Sequence, residues 1–172
     1  MVPRPLTGEP LALDLVNTEW VERGEPRDLF DEPGGLAQWL AGHGLPGEPA
    51  QVQAPLRQAR ATLRELLERP GSTAEQALND VLARGHLRYA VRDGSAVSVS
   101  DVDPAWLPAW TAAAAYLDLL RARPERIRRC AHPACVLYFY DTSRNGTRRW
   151  CSMEGCGSRS KAARHYRRSR PA

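Results

Sequence analysis

CAHPACVLYFYDTSRNGTRRWCSMEGC, residues 130–156, holds all four cysteines of the 172-residue chain. They form two pairs, Cys130/Cys135 and Cys151/Cys156, with four residues inside each pair and fifteen between the pairs. Two such pairs on separate turns can bring four sulfurs to one point about 2.3 Å from a zinc ion. Zinc suits a tetrahedron of thiolates and adds no redox chemistry of its own. The competing readings are weaker. Disulfides are disfavoured in a reducing compartment, a redox couple usually has C-x-x-C spacing, and an iron–sulfur cluster is the less common use of paired cysteines. With all four positions filled by cysteine none is left open for water, so the one zinc expected per chain is structural. His132 is then a loop residue and His165 a helix-surface residue.

The segment between the pairs reads as a hairpin. VLYFYD (136–141) has strand propensity, SRNG (143–146) is a turn and TRRW (147–150) returns. Phe139 and Trp150 are expected to pack beneath the metal. The closing pair leads into a basic helix over 157–170, whose free N–H groups would favour the last thiolate.

Charge divides the chain at the same place. Residues 1–120 hold 10 arginines against 17 acids, a net of −7, whereas 121–172 hold 14 basic residues against three acids, a net of +11. Four thiolates around Zn²⁺ leave −2, which some of Arg128, Arg129, Arg148, Arg149 and Arg159 can balance. The surplus points to a polyanion, and double-stranded DNA is the partner expected. Arg148, Arg149, Lys161, Arg164, Arg167 and Arg168 would contact phosphates. Arg159 either joins them or supports the thiolates.

Upstream, PLALDLVNT (10–18) is ambiguous between a strand and a short helix. Leu36, Trp39 and Leu40 share the face of a short helix that Gly42 and Gly44 stop. A second helix is expected over 55–69 and a third over 72–85, capped by Ser72 or Thr73. HLRYAVRDGSAVSVSD (86–101) alternates around Asp93-Gly94 and predicts a β-hairpin. Asp103 and Pro104 open a further helix that Pro124 closes. No nucleophile–base pair, phosphate loop or open metal arrangement is visible, so no enzyme is expected. The longest apolar run, 110–120, is broken by Asp118 and too short for a membrane, and the start of the chain has no signal-peptide pattern, which places the protein in the cytoplasm. The fold class expected is α+β: a mainly helical N-terminal domain with a small antiparallel hairpin (1–123), and a C-terminal four-cysteine zinc module of hairpin and basic helix (124–172).

FYDTSRNGTRRWCSM (139–153) and CGSRSKAARHYRR (156–168), together with the two cysteine pairs, resemble the CGNR zinc-finger family of bacterial proteins. One departure is visible: the namesake asparagine is Ser158 here, which can still cap a helix and donate a hydrogen bond. PLALDLVNT, LAQWLAGHGL (36–45) and the helix after it are similar to the ABATE domain that precedes this finger. The resemblance implies a stress-induced transcription regulator that binds DNA through the finger. Asp14, Asn17 and Thr18 match the family's LD-x-x-NT segment. They either line a pocket for a small-molecule effector or hydrogen-bond the backbone of neighbouring loops. A homodimer is compatible with this role. The alternative is a zinc-stabilised protein-interaction module, with the acidic body of one chain docking the basic tail of another.

Overall fold

The computed structural model describes residues 2–169, and within the last helix the side chains of 163–165 and 167–169 fall outside that description. Arg164, Arg167 and Arg168, three of the expected phosphate contacts, belong to that set.

Leu11, Ala12, Leu13, Leu15 and Val16 leave no polar face except Asp14, so the ambiguous first segment is a helix surrounded by protein. This six-residue α1 (Leu11–Val16) lies at the centre of the core, with Ala12, Leu13, Leu15 and Val16 all 0% exposed. α3 (Pro49–Glu68) and α5 (Leu107–Ala122) pack against it, α2 (Gly35–Gly42) reaches it through Trp39, and α4 (Ser72–Leu82) packs on α3 and α5. Alanines 109, 112 and 113 of α5 are fully buried and let its backbone come close to α1, while Leu56, Ala59 and Leu63 of α3 close the other side.

Three helix starts differ from the sequence reading. Pro49, not Pro55, stands in the first turn of α3, because Val52 anchors that turn in the core; Pro55 sits inside the helix. Gly71 occupies the cap position of α4, so neither Ser72 nor Thr73 caps it. Asp103 caps a separate turn: its carboxylate accepts from Ala105 N, and α5 begins only at Leu107.

All the sheets are two-stranded antiparallel pairs. β1 (Glu19–Glu22) and β2 (Glu25–Asp28) turn through Arg23 and Gly24, both at positive φ. Glu25-Pro26-Arg27 carries no strand signal, so the sequence did not reveal this hairpin. It is held from below by arginines 57, 60 and 64 of α3. Arg57 and Arg60 pair with Asp28, and Arg60 and Arg64 with Glu19. β3 (Gly85–Arg92) and β4 (Ser95–Val102) form the expected ribbon, with Asp93 and Gly94 at positive φ as a two-residue turn requires. It projects from the body, leaving Leu87, Tyr89 and Val91 exposed on one face.

The third pair corrects the hairpin reading. β6 (Tyr138–Tyr140) pairs with β5 (Ile127–Arg129), which precedes Cys130, and not with the return segment 147–150. The first C-x4-C segment is therefore the hairpin loop. Asp141, buried at 1%, explains why 147–150 does not pair: its carboxylate accepts from Ser143 N and Arg148 N and folds 141–148 into a closed loop. Arg126 donates to the carbonyls of Asp141 and Ser143 and fixes the same loop from outside. A wide π-type turn (Met153–Gly157) then leads into α6 (Ser158–Ser169).

Candidate metal centre and its seat on the helical body

Cys130 follows β5, Cys135 closes the hairpin loop, and Cys151 and Cys156 flank the turn before α6. All four are buried, and their sulfurs lie within 4.8 Å of one another. Cys151 Sγ is 3.8 Å from Cys135 Sγ and 3.6 Å from Cys156 Sγ. Four ligands 2.3 Å from one ion would stand about 3.8 Å apart at the corners of a tetrahedron, so the spacing fits zinc.

The chemistry fits as well. Hydrogen bonds from Cys135 and Cys151 favour the thiolate at Cys130, whereas sharing with Cys130 pushes the Cys135 thiol up to about 12 and raises Cys151 further. A divalent cation is the group that lets all four be anionic together. Two donors already face the sulfurs: Cys151 N–H reaches Cys130 Sγ at 3.4 Å, and Arg159 Nη2 reaches Cys156 Sγ at 3.1 Å. Arg159 thus supports a thiolate. Ser158 Oγ donates to Met153 O, keeping the turn closed without the namesake asparagine. His132 serves its own loop, Nδ1 accepting from Ala134 N.

Arg148 is a correction to the expected phosphate contacts. Its guanidinium lies 4.2 Å from the centre of the Phe139 ring, donates to the carbonyls of Trp150 and Cys151, and approaches Glu9 at 3.5 Å. It is committed to the fold beneath the metal. Phe139, 0% exposed, packs there as expected. Arg149 and Lys161 are exposed, as are Arg128, Arg129 and Arg144 around them. Arg149 leans on Trp150 at 5.2 Å and keeps its charge toward solvent.

Of the two alternatives for Asp14, Asn17 and Thr18, the contacts match hydrogen bonding within the fold and not a pocket. All three are 0% exposed, so no ligand can touch them without opening the fold, and protein groups occupy them. Asp14 Oδ1 accepts from Arg4 Nη2 and Trp39 Nε1, both at 2.9 Å, and lies 3.0 Å from His43 Nε2. Burial raises its pKa, but these contacts outweigh that and hold it below the usual carboxylate value. Thr18 Oγ1 donates to Leu15 O and accepts from Arg60.

Asn17 seats the finger. In the β5–β6 pair, Leu137 O accepts from Cys130 N and Asp141 N donates to Arg126 O, so Tyr138 and Tyr140 turn their backbone groups to the opposite edge. Side chains of the body fill that edge. Asn17 Nδ2 donates to Tyr138 O at 2.8 Å, and Oδ1 accepts from Tyr138 N at 2.9 Å. Glu9 Oε2 accepts from Tyr140 N, and Arg64 Nη1 reaches Val136 O. Three residues thus stand in for a third strand. Glu9 and Arg64 were not singled out in the sequence; the one available signal was Arg57, Arg60 and Arg64 at helical spacing on one face of α3.

Comparison with curated proteins gives no match. Among protein families, residues 126–169 match the CGNR zinc finger, and residues 9–123 match ABATE, described as "Putative stress-induced transcription regulator". With two thirds of its length in that match and the four-cysteine centre following it, the chain belongs to the ABATE family and carries a CGNR zinc finger with one structural zinc site.

Proposed function

We propose that this protein is a non-enzymatic, cytoplasmic transcription regulator that binds double-stranded DNA through its zinc finger. One observation carries the reading. The segment from 121 onward has a net charge of +11, and Arg129, Arg144, Arg149 and Lys161, which have no acidic partner among the described residues, are exposed. Arg159 serves the metal, and Arg126, Arg128 and Arg148 serve the fold; the four exposed cations have no comparable structural use and suit phosphate. Among the described residues, no helix is long and apolar enough to cross a membrane. Titration of the zinc-loaded protein against duplex DNA at several salt concentrations tests the reading. Affinity should fall steeply with salt, and Arg149→Ala or Lys161→Ala should each lower the log–log slope by about one. Absence of binding at low salt would refute it.

The acidic body, net −7 over 1–120, supports the second reading, in which the tail of one chain docks on the body of another. Salt-sensitive self-association without DNA affinity would favour it. A homodimer also suits the regulator. Its pairing edge would be β4, uncharged from Ser95 to Ser100 and free of the charged side chains that usually guard edge strands. Sedimentation of the wild type against Val97→Lys checks this, a monomeric wild type counting against it.

A further inference from the structure

Asp14, Asn17 and Thr18 are sealed, but the surface beside them is not. Several clefts meet at Trp20 and Val21 of the β1–β2 hairpin. In the one of about 400 Å³ toward Asp28 and Asp31, Arg64 already faces Glu19 and Asp28 already faces arginines of α3. Two others, of about 260 and 420 Å³, share Pro5, Trp20, Val21 and Arg159, and so form one trough between the hairpin, the N-terminal segment and the metal loop. Its volume is that of small-molecule sites.

The trough is divided in chemistry. Toward the metal loop it is lined by apolar Trp20, Val21 and Leu137 beside three of the metal ligands, Cys135, Cys151 and Cys156, and by the acid Glu154. Its outer part gathers Arg4, Arg23 and Arg159 against one acid, Glu22. Several donors here are unused. Arg4 has an 8% exposed side chain with Nη2 on Asp14, and its Nη1 is buried with no hydrogen-bond partner. Trp20 is 4% exposed and lines both clefts. Arg23 has no acidic partner among the described residues, and Arg159 spends one amine on Cys156 and leaves the rest. The buried Arg4 Nη1 is costly to leave without an acceptor, and an anion shared with the exposed guanidinium groups of Arg23 and Arg159 removes that cost. A concave apolar floor does not suit a DNA phosphate, but it suits the body of a small organic acid.

We propose that this trough binds a small amphipathic organic anion, a carboxylate, sulfonate or phosphate monoester. The anionic head would sit among Arg4, Arg23 and Arg159 and an aromatic or branched body on Trp20 and Val21. The proposal takes its regulatory purpose from the reading above: Arg159 opens α6 and holds the Cys156 thiolate, so an anion drawing on it is linked to the finger.

The test uses the full, zinc-loaded chain without DNA, so its failure and a failure of DNA binding are read separately. The probe is 8-anilinonaphthalene-1-sulfonate, with uncharged N-phenyl-1-naphthylamine as its counterpart, followed by fluorescence. The sulfonate should saturate at one per chain and bind at least about tenfold more tightly than the neutral probe. Arg23→Ala should weaken it by about five- to tenfold, as loss of one charged contact does. Val21→Trp should fill the floor and abolish binding; should that variant not fold, Arg23→Ala alone decides. Tyr89→Ser, on the distant ribbon, should change nothing. Equal affinity of both probes, indifference to Arg23→Ala, or loss of binding in Tyr89→Ser would each overturn the site.

Discussion

Replacing Asn17 by alanine tests the claim that the finger is seated on the body by side chains acting as a strand. The amide makes two hydrogen bonds, 2.8 and 2.9 Å, to one backbone residue, Tyr138, at a position 0% exposed. Alanine leaves a buried N–H and a buried C=O without partners. Each costs about 1–3 kcal/mol when stranded, so the expected loss is roughly 2–6 kcal/mol, out of a total of about 5–15 kcal/mol for a domain. Asn17→Asp should fare no better, since it keeps an acceptor for Tyr138 N but offers Tyr138 O a carboxylate. The loss falls on the strand between the two cysteine pairs, so zinc affinity should weaken as well, by about tenfold for each 1.4 kcal/mol felt at the finger. Denaturant unfolding followed by tryptophan fluorescence, with zinc capture by a chromogenic chelator in parallel, measures both. Asn79→Ala, at an exposed site on α4, is the control and should stay within about 0.5 kcal/mol of wild type. Asn17→Ala matching that control in stability and in zinc retention would refute the seat.

Elemental analysis should give about one zinc per chain, and Cys151→Ser should lose it; four free thiols with no bound metal after purification would overturn the assignment. Gly146 stands at φ +62° with the Arg126 guanidinium 3.0 Å from where a Cβ would sit, so Gly146→Ala should lower stability by about 1–2 kcal/mol, visible as a lower unfolding midpoint. Asp14 has a folded pKa below its unfolded value of about 3.9, so its contribution is present above that pH and is lost as pH falls through the folded pKa. The stability gap between wild type and Asp14→Asn should therefore be full near neutrality and shrink below about pH 4; a gap that does not change with pH would contradict the assignment.

The metal centre was legible because ligand type and spacing are a nearly local code: Cys130, Cys135, Cys151 and Cys156 needed no knowledge of the fold. The β3–β4 ribbon was legible for the same reason, with alternation on both sides of Asp-Gly. What escaped depends on distant partners. Arg148 and Arg149 are adjacent and identical in type, yet Asp141 takes the backbone N–H of the first, and its side chain then lies on Phe139 while its neighbour faces out. β5 is three residues long, and its pairing with β6 is set by the cysteine loop it encloses, not by strand propensity. Glu25-Pro26 disguised β2, whose anchors sit about thirty residues later on α3. Asn17 could be marked from sequence only as a polar residue needing partners, because its acceptor and donor are 121 residues away.

The same geometry says how the two family regions are joined. A two-stranded hairpin is marginal in water by itself, and β5–β6 has one edge of β6 left to satisfy. Had the finger folded as an independent bead, that edge would face water and nothing in 1–120 would need to recognise it. Instead Arg64, Asn17 and Glu9 meet Val136, Tyr138 and Tyr140 in order along the strand, and the buried cysteines belong to the same apolar cluster as α1. Zinc closes the hairpin from one end while the body completes its edge from the side, so each supports the geometry the other needs. Stripping the metal from the wild type should therefore lower the unfolding midpoint of the helical body as well as that of the finger, in one transition. Two separate transitions, with the α-helical one unmoved by a chelator, would show that the edge contacts carry no coupling.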